Sequence, residues 1–139
     1  MPDIEKRLVN LLNKNVKSFY TITYFSGEKE NYISDSVQNV TGFTSSELSK
    51  ELGGLNNIIC EKDRLVAKRT LTELFSSPFN NKELTFRIVT KENKIKTIHQ
   101  SVFVERNELG KVIIVETINT DSTIETGDTE AINQEYKKL

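Results

Sequence analysis

The side chains best able to do chemistry in this sequence are its single histidine, His99, and its single cysteine, Cys60. A histidine on a strand can contact a ligand or respond to pH, because its pKa lies near neutrality. Beside a buried carboxylate such as Glu116, His99 could transfer protons, as in a small α+β isomerase-like enzyme. The plainer interpretation is a half-buried polar residue. One histidine supports no Ser-His-Asp set, and no phosphate loop, HExxH or CxxC motif occurs, so the sequence does not favour an enzyme.

Cys60 stands just before a predicted helix that carries Asp63 and Arg64 near its start. A single cysteine excludes an internal disulfide and does not alone build a zinc site, so we expect a small buried apolar residue. Asp63 and Arg64 could act as a signalling pair. We favour the simpler hypothesis that Asp63 is the N-cap of the helix, since aspartate is preferred there.

Composition describes one folded domain of 139 residues, with 36% hydrophobic and 28% charged residues. The 19 basic and 20 acidic residues nearly cancel, so no surface for nucleic acid is predicted. The longest apolar run, Val112 to Val115, is far shorter than the ~20 residues of a membrane span. No signal peptide precedes the charged start MPDIEKR, which predicts a cytoplasmic location.

The stretch VTGFTSSEL places the end of one short helix next to the start of another. Gly42 can adopt the left-handed conformation that ends a helical turn. Thr44 and Glu47 have the spacing of a capping box, in which each side chain accepts a hydrogen bond from a free backbone N–H. Phe43 and Leu48 flank this cap with the spacing of a hydrophobic staple.

The other elements follow from the period of the apolar residues: helices at residues 3–16 and 63–75, and strands at 19–25, 32–34, 82–90, 95–106 and 111–120. Because Val112 to Val115 is apolar at every position, both faces of its strand should be covered. The short helices can cover one face, and the N-terminal helix or a partner chain the other. The polar tail after residue 122 ends in a short amphipathic piece with Ile132, Tyr136 and Leu139.

This order of elements, together with several local sequences, resembles a PAS domain of the bacterial sensory type with a terminal PAC segment. The resemblance covers residues 17–125. It is carried by YISDSVQNVTGFTSSEL, by IICEKDR, by Phe86-Arg87-Ile88 and by Asp121-Ser122-Thr123. The sequence departs from the family pattern at four positions, which are Glu61, Asn93, Thr97 and Ser122.

The resemblance implies an α+β fold, with a five-stranded antiparallel sheet and short helices on one face, to which the sequence adds an N-terminal amphipathic helix. The predicted division is a helix at 1–16, a PAS/PAC-like sensor domain at 17–125, and a polar linker with a short C-terminal helix at 126–139.

In many members of that family the space between sheet and helices holds a small molecule. The apolar residues that would line it here, or would fill it as an ordinary core, are accompanied by one polar group: Ile33, Val37, Phe43, Ile58, Leu71, Phe86, Ile88, Val115 and His99. We expect a largely apolar ligand touching Leu71, Phe86 and Ile88, with His99 at the polar edge. Haem is not favoured, because the long helix has no histidine, and flavin is not, because the Asn-Cys-Arg-Phe motif is missing.

The resemblance implies a sensory module that binds a small molecule or acts through dimerisation. We expect a homodimer through the helix from Asp3 to Val16, and Asp121 and Thr123 at the junction with the output segment. A downstream signalling protein is the expected partner, with neither nucleic acid nor membrane. No output domain lies within the sequence, so the chain acts in trans or is part of a longer receptor.

Overall fold

The computed structural model describes residues 17–25, 29–76 and 78–123. The helix predicted at residues 3–16 and the linker and short helix predicted at 126–139 lie outside the described residues. The turn predicted at residues 26–29 lies partly outside them.

The described chain alternates strands and short helical segments. In chain order these are β1 (Ser18–Tyr24), β2 (Tyr32–Ile33), α1 (Val37–Thr41), a π-helical turn (Glu47–Glu51), a 3-10 turn (Leu55–Ile58), α2 (Glu61–Ser76), β3 (Asn81–Val89), β4 (Ile95–Arg106) and β5 (Val112–Asp121). The strands form one antiparallel sheet in the order β2-β1-β5-β4-β3. The predicted five-stranded antiparallel sheet with short helices is therefore confirmed.

The main core lies between the sheet and the helical segments. It consists of side chains that alternate along the strands and meet the helices, which are Phe19, Val37, Val40, Leu48, Ile58, Ile59, Phe86, Ile88 and Ile98. A second cluster continues it towards the end of α2, with Leu74, Val102, Val104, Val112 and Val115. Burying each such side chain is worth about 1.5–3 kcal/mol, so this layer supplies most of the apolar stabilisation.

The opposite face of the sheet, which we call the outer face, also carries apolar side chains. Tyr20 and Ile22 are 3% and 2% exposed there, beside the half-buried Ile114 and Ile118. A β-bulge near the start of β5, where Glu105 pairs with Ile114 but Arg106 pairs with Val112, shifts the alternation, and Val112 joins the helix-side cluster with Val115. The run Val112 to Val115 therefore contributes side chains to both faces. The predicted cover of the outer face by the N-terminal helix or a partner chain stays a prediction.

The corner between α1 and the π-helical turn forms as its sequence predicted. Gly42 ends α1 with a φ of +81°, and its N–H donates to the Gln38 carbonyl at 2.9 Å. The Thr44 N–H donates to Glu47 Oε1, and the Glu47 N–H to Thr44 Oγ1, both at 3.1 Å. This pair of bonds is the capping box.

An ion pair joins the start of α2 to β3. The Asp63 carboxylate accepts hydrogen bonds from the Arg87 backbone N–H at 2.7 Å, from Nε at 2.8 Å and from Nη2 at 2.5 Å. The predicted N-cap role of Asp63 is wrong, because α2 begins at Glu61 and the Asp63 side chain reaches β3 instead. Arg64 points elsewhere and donates to the Ile59 and Asn57 carbonyls.

Replacing Asp63 by asparagine should destabilise the domain in a pH-dependent way. The hydrogen bonds from Arg87 hold the pKa of Asp63 below its usual range, and partial burial opposes them only in part. A carboxyl group with a lowered folded-state pKa stabilises the fold above its unfolded pKa of about 3.9, and this contribution is lost as the pH falls through the folded value. We expect Asp63→Asn to cost about 2 kcal/mol at pH 7.

Urea denaturation of both proteins from pH 7 to pH 2 measures this effect. The gap between wild type and Asp63→Asn should close as the pH falls below about 4. Asp35→Asn, at an exposed position that forms no ion pair with the described residues, is the matched control. A gap that stays constant down to pH 2 would rule out the ion pair as its source.

Candidate functional site

A cleft of about 590 Å³ opens between the sheet and the segment from the π-helical turn to α2. Its floor is formed by the helix-facing side of β1, β4 and β5, and one wall by the inner side of α2. The residues that argue for its chemistry fall into an apolar group of Leu71, Leu84, Val102 and Val115, and a polar group of Thr21, Thr23, Thr70, Gln100 and Thr117. A volume of this size accommodates a small organic molecule.

The residues predicted to bind a ligand divide into two groups. Ile33, Leu71 and Val115 line the cleft. The others on the helix side lie in the filled core next to it: Val37, Ile58, Phe86 and Ile88 are buried, and Phe43 packs against them. An open cleft and a filled core thus stand side by side, and ligand binding itself stays a prediction.

His99 lies on the outer face of the sheet, away from the cleft, so it is not the polar group predicted at the edge of the pocket. Its neighbours along β4, Ile98 and Gln100, face the helices, and alternation turns His99 to the other side. Its Nε2 lies 3.2 Å from Glu83 Oε1, a largely exposed carboxylate on the adjacent strand. Glu116 instead accepts a hydrogen bond from the Tyr20 hydroxyl at 2.7 Å.

A chain of hydrogen bonds crosses the floor of the cleft. Gln100 Nε2 donates to Asn119 Oδ1 at 2.7 Å, and Asn119 Nδ2 donates to Thr117 Oγ1 at 2.8 Å. The Thr117 hydroxyl pairs with that of Thr21 at 2.5 Å. Gln100 stands directly opposite Asn119, and Thr21 directly opposite Thr117, so the register of β5 with its two neighbours creates the network. We call these four residues the polar floor.

The mouth of the cleft is formed by the π-helical turn and the loop that follows it. Ser45, Ser46, Ser49 and Lys50 line it from one side, and Gly53, Gly54 and Asn56 continue the rim. Gly54 has a φ of +117°, which a residue with a side chain rarely adopts, and its N–H closes the turn on the Leu48 carbonyl at 2.8 Å. The capping box of Thr44 and Glu47 therefore positions the serine-bearing turn above the cleft.

Cys60 is half-buried, and its backbone N–H donates to the Arg87 carbonyl at 2.8 Å. Burial is the main cause that raises the pKa of the Cys60 thiol, and the negative charge of Asp63 raises it further. The thiol therefore carries little thiolate at neutral pH. Its half-buried position and its protonated thiol are typical of a structural residue.

The residues predicted as a signalling junction form a compact network where β5 ends. The Thr123 N–H donates to Asp121 Oδ1 at 2.9 Å, and Thr123 Oγ1 accepts from the Thr97 N–H at 2.9 Å. Lys96 Nζ lies 3.5 Å from Asp121 Oδ2 and also donates to the Val40 carbonyl of α1 at 2.9 Å.

The start of the described chain meets the same network. The Asp121 N–H donates to the carbonyl of Lys17, the residue before β1, at 2.7 Å. The polar network at residues 121–123 therefore joins both ends of the described region to the sheet and, through Lys96, to α1.

Two further features of the described residues bear on the type of site. Within 17–25, 29–76 and 78–123, no cluster of three or more histidine, cysteine or acidic side chains could hold a metal ion. The helices of the same region are all too short or too polar to cross a bilayer.

Comparison with known proteins identifies the family. The model of the PAS fold matches residues 30–119, which is more than half of the chain. The chain therefore belongs to the PAS fold family, as its motifs suggested. A search of curated proteins finds no match.

Solved structures share the fold at low sequence identity. A sensory box histidine kinase/response regulator from Burkholderia thailandensis aligns with a TM-score of 0.66 and 15% identity, over 99% of this chain and 100% of that one. The N-terminal domain of a diguanylate cyclase with PAS/PAC sensor from Marinobacter aquaeolei aligns with 0.61 and 14%, over 86% and 99%. The PAS domain of a protein from Colwellia psychrerythraea aligns with 0.61 and 15%, over 86% and 97%.

The polar floor was missed by the sequence prediction. On β5 the inward positions Thr117 and Asn119 are polar, whereas Ile114 and Ile118 point outward. Hydrophobic alternation alone suggests the opposite orientation for this part of the strand. The available signal was pairing: Thr21, Thr117, Asn119 and Gln100 all occupy strands that the family order places side by side.

Thr44→Ala should destabilise the domain by about 1 kcal/mol, because the Glu47 N–H at the mouth of the cleft loses its acceptor. Thr44→Ser keeps the oxygen in the same place and is the matched control. Urea denaturation followed by circular dichroism measures both. Equal losses in the alanine and serine variants would show that the methyl group, and not the cap, stabilises this corner.

Proposed function

We propose that this chain is a sensory PAS module that binds a small molecule in the cleft and passes the effect to a downstream signalling protein. The cleft is the observation that carries the proposal, because it leaves about 590 Å³ unfilled on the helix side of an otherwise well-packed sheet. Family membership supports the same role. Two structural neighbours are a sensory box histidine kinase/response regulator and a diguanylate cyclase with PAS/PAC sensor.

We propose that the network around Asp121 and Thr123 is the output junction. A ligand on the polar floor would contact β5, and β5 leads directly to Asp121. Lys96 bonds both to Asp121 and to the last turn of α1, so a displacement of the sheet relative to α1 would change both contacts together. The signal would leave through the segment after Thr123.

We further propose a homodimer formed through the segment from Asp3 to Val16. The support is the apolar stripe of that segment, with Ile4, Leu8, Leu11, Leu12 and Val16 at helical spacing. An apolar stripe gains free energy when a second copy removes it from water. The cytoplasmic location inferred from the sequence stays a prediction.

The isomerase-like alternative gains no support from the geometry. It needed His99 beside a pocket carboxylate such as Glu116, but His99 faces solvent with Glu83, and Glu116 bonds to Tyr20. The two side chains thus have different partners and both lie on the face opposite the cleft. We therefore propose a regulatory domain in preference to a catalytic one.

Leu71→Trp should abolish ligand binding, because Leu71 lines the cleft from α2 and a larger ring would occupy its space. A thermal-shift screen against small neutral molecules, acids and lipids should find compounds that stabilise wild type and fail to stabilise the variant. Leu65→Trp is the matched control, since Leu65 lies on the same helix but is 56% exposed. It should respond to ligands as wild type does.

The converse pattern would contradict the cleft as a binding site. If no compound stabilises wild type and Leu71→Trp loses about 1–3 kcal/mol, the site behaves as an overpacked core. If ligands stabilise all three proteins equally, they bind elsewhere.

Charges placed on the N-terminal stripe should convert the dimer to monomer. Leu8→Glu combined with Leu11→Glu puts two carboxylates on the apolar stripe, whereas Asn10→Glu with Asn13→Glu adds the same charge on its polar side. Light scattering coupled to size exclusion should give monomer for the first pair and dimer for the second. If both double variants are dimeric, or if wild type is monomeric, this interface is excluded.

A further inference from the structure

The polar floor distinguishes between classes of ligand, and this inference rests on the ligand-binding function proposed above. Asn119 is fully buried, and both ends of its amide are bonded, the oxygen to Gln100 and the nitrogen to Thr117. A buried amide is costly to leave unsatisfied, so these two bonds hold the Asn119 side chain in place. In the structure the Gln100 amide directs its nitrogen to Asn119, and its oxygen points away from that bond.

The Gln100 carbonyl oxygen is consequently an acceptor that is open to the cleft. Within the described part of the chain, Gln100 Oε1 accepts no hydrogen bond. No fully buried side-chain polar atom of those residues is left without a partner, so this oxygen is accessible, and Gln100 lines the cleft. A ligand donor, N–H or O–H, is the group that would satisfy it.

Thr21 supplies the second open group. Its hydroxyl bonds to that of Thr117, which also accepts the hydrogen bond from Asn119. A hydroxyl has one donor and two acceptor positions, so Thr21 keeps capacity for a ligand beside Gln100. Leu71, Val102 and Val115 lie around these two groups and favour an apolar body on the same molecule.

Among the described residues, the deep part of the cleft has no positively charged side chain that could pair with an anionic ligand. Among the described residues that form the cleft, only Lys50 is charged, and it stands exposed at the mouth. A carboxylate on the polar floor would lose its hydration and meet the Gln100 oxygen, which repels it. At the mouth, water weakens any attraction to Lys50.

We propose that the cleft binds an uncharged molecule with an apolar body and an amide or hydroxyl donor. This donor would form hydrogen bonds with Gln100 and Thr21. The apolar residues of the cleft alone would also be compatible with an apolar molecule that carries a carboxylate. Gln100 and Thr21 favour the uncharged class. It makes selectivity depend on one fixed acceptor, because a site built to hydrogen-bond a ligand discriminates strongly against an analogue that cannot pair.

Matched series that share a carbon skeleton test the proposal. Phenylacetamide, 2-phenylethanol and phenylacetate form one series, and indole-3-acetamide and indole-3-acetate form a second. Ligand-observed NMR at millimolar concentration with the full chain should detect the amides and the alcohol and not the acids. Gln100→Met removes the acceptor and should weaken amide binding about tenfold, the effect of one net hydrogen bond.

Gln100→Met also removes the donor to Asn119, so two further variants separate lost recognition from lost stability. Thr21→Val has the same shape without the hydroxyl, leaves Thr117 bonded to Asn119, and should weaken the neutral probes while the fold stays intact. Gln38→Met is the same glutamine-to-methionine change at an exposed position of α1 outside the cleft. This variant should bind the probes as wild type does.

Three results would overturn the proposal. The first is acids that bind as well as the amides; if Leu71→Trp abolishes their binding, the cleft remains a ligand site and only the neutral class is wrong. The second is equal amide affinity in wild type, Gln100→Met and Thr21→Val. The third is a wild type that binds no amide or alcohol of either series.

Discussion

The register of β5 between β1 and β4 is the constraint on which the rest of this structure depends. Thr117 must stand opposite Thr21, and Asn119 opposite Gln100, for the polar floor to close its hydrogen bonds. A slip of one residue would turn these groups to the outer face and bring Ile118 into the cleft. The same register carries Asp121 to Lys17 and Lys96, so one pairing arrangement sets both the cleft and the polar network at residues 121–123.

The helical side of the domain is held by contacts that sequence spacing explains only in part. The capping box of Thr44 and Glu47 is local, and it fixes the turn that forms the mouth of the cleft. The ion pair of Asp63 with Arg87 is not local, and it holds the start of α2 against β3. Between these two anchors the chain passes over the sheet without filling the space above β5, which leaves the cleft open.

Much of the fold could be predicted from residue patterns because those patterns are local. The left-handed Gly42, the capping box and the alternation of Leu84, Phe86 and Ile88 each depend on neighbours within a few residues. The partner of Asp63 could not be predicted this way, since Arg87 lies 24 residues further along the chain. An aspartate near the start of a helix matches the N-cap preference whether or not a distant arginine forms an ion pair with it.

The cleft shows the same division. Ile33, Leu71 and Val115, which were predicted to line a pocket, do line the cleft, because inward apolar residues follow from periodicity. His99 was assigned to the wrong face, because the sequence of β4 has polar and apolar side chains on both sides and its phase is set by the pairing with β3 and β5. The polar floor was missed because buried polar groups are recognised through their partners, and those lie on three different strands.

Native mass spectrometry of the freshly purified full chain tests the sensory role most directly, since it reports bound mass and oligomeric state together. A dimer that carries a small molecule, released when the protein is denatured, is the expected result. The same dimer without that added mass is expected for Leu71→Trp. A wild-type chain that is monomeric and bare, and that stays bare after incubation with neutral amides and alcohols, would contradict both the cleft and the dimer.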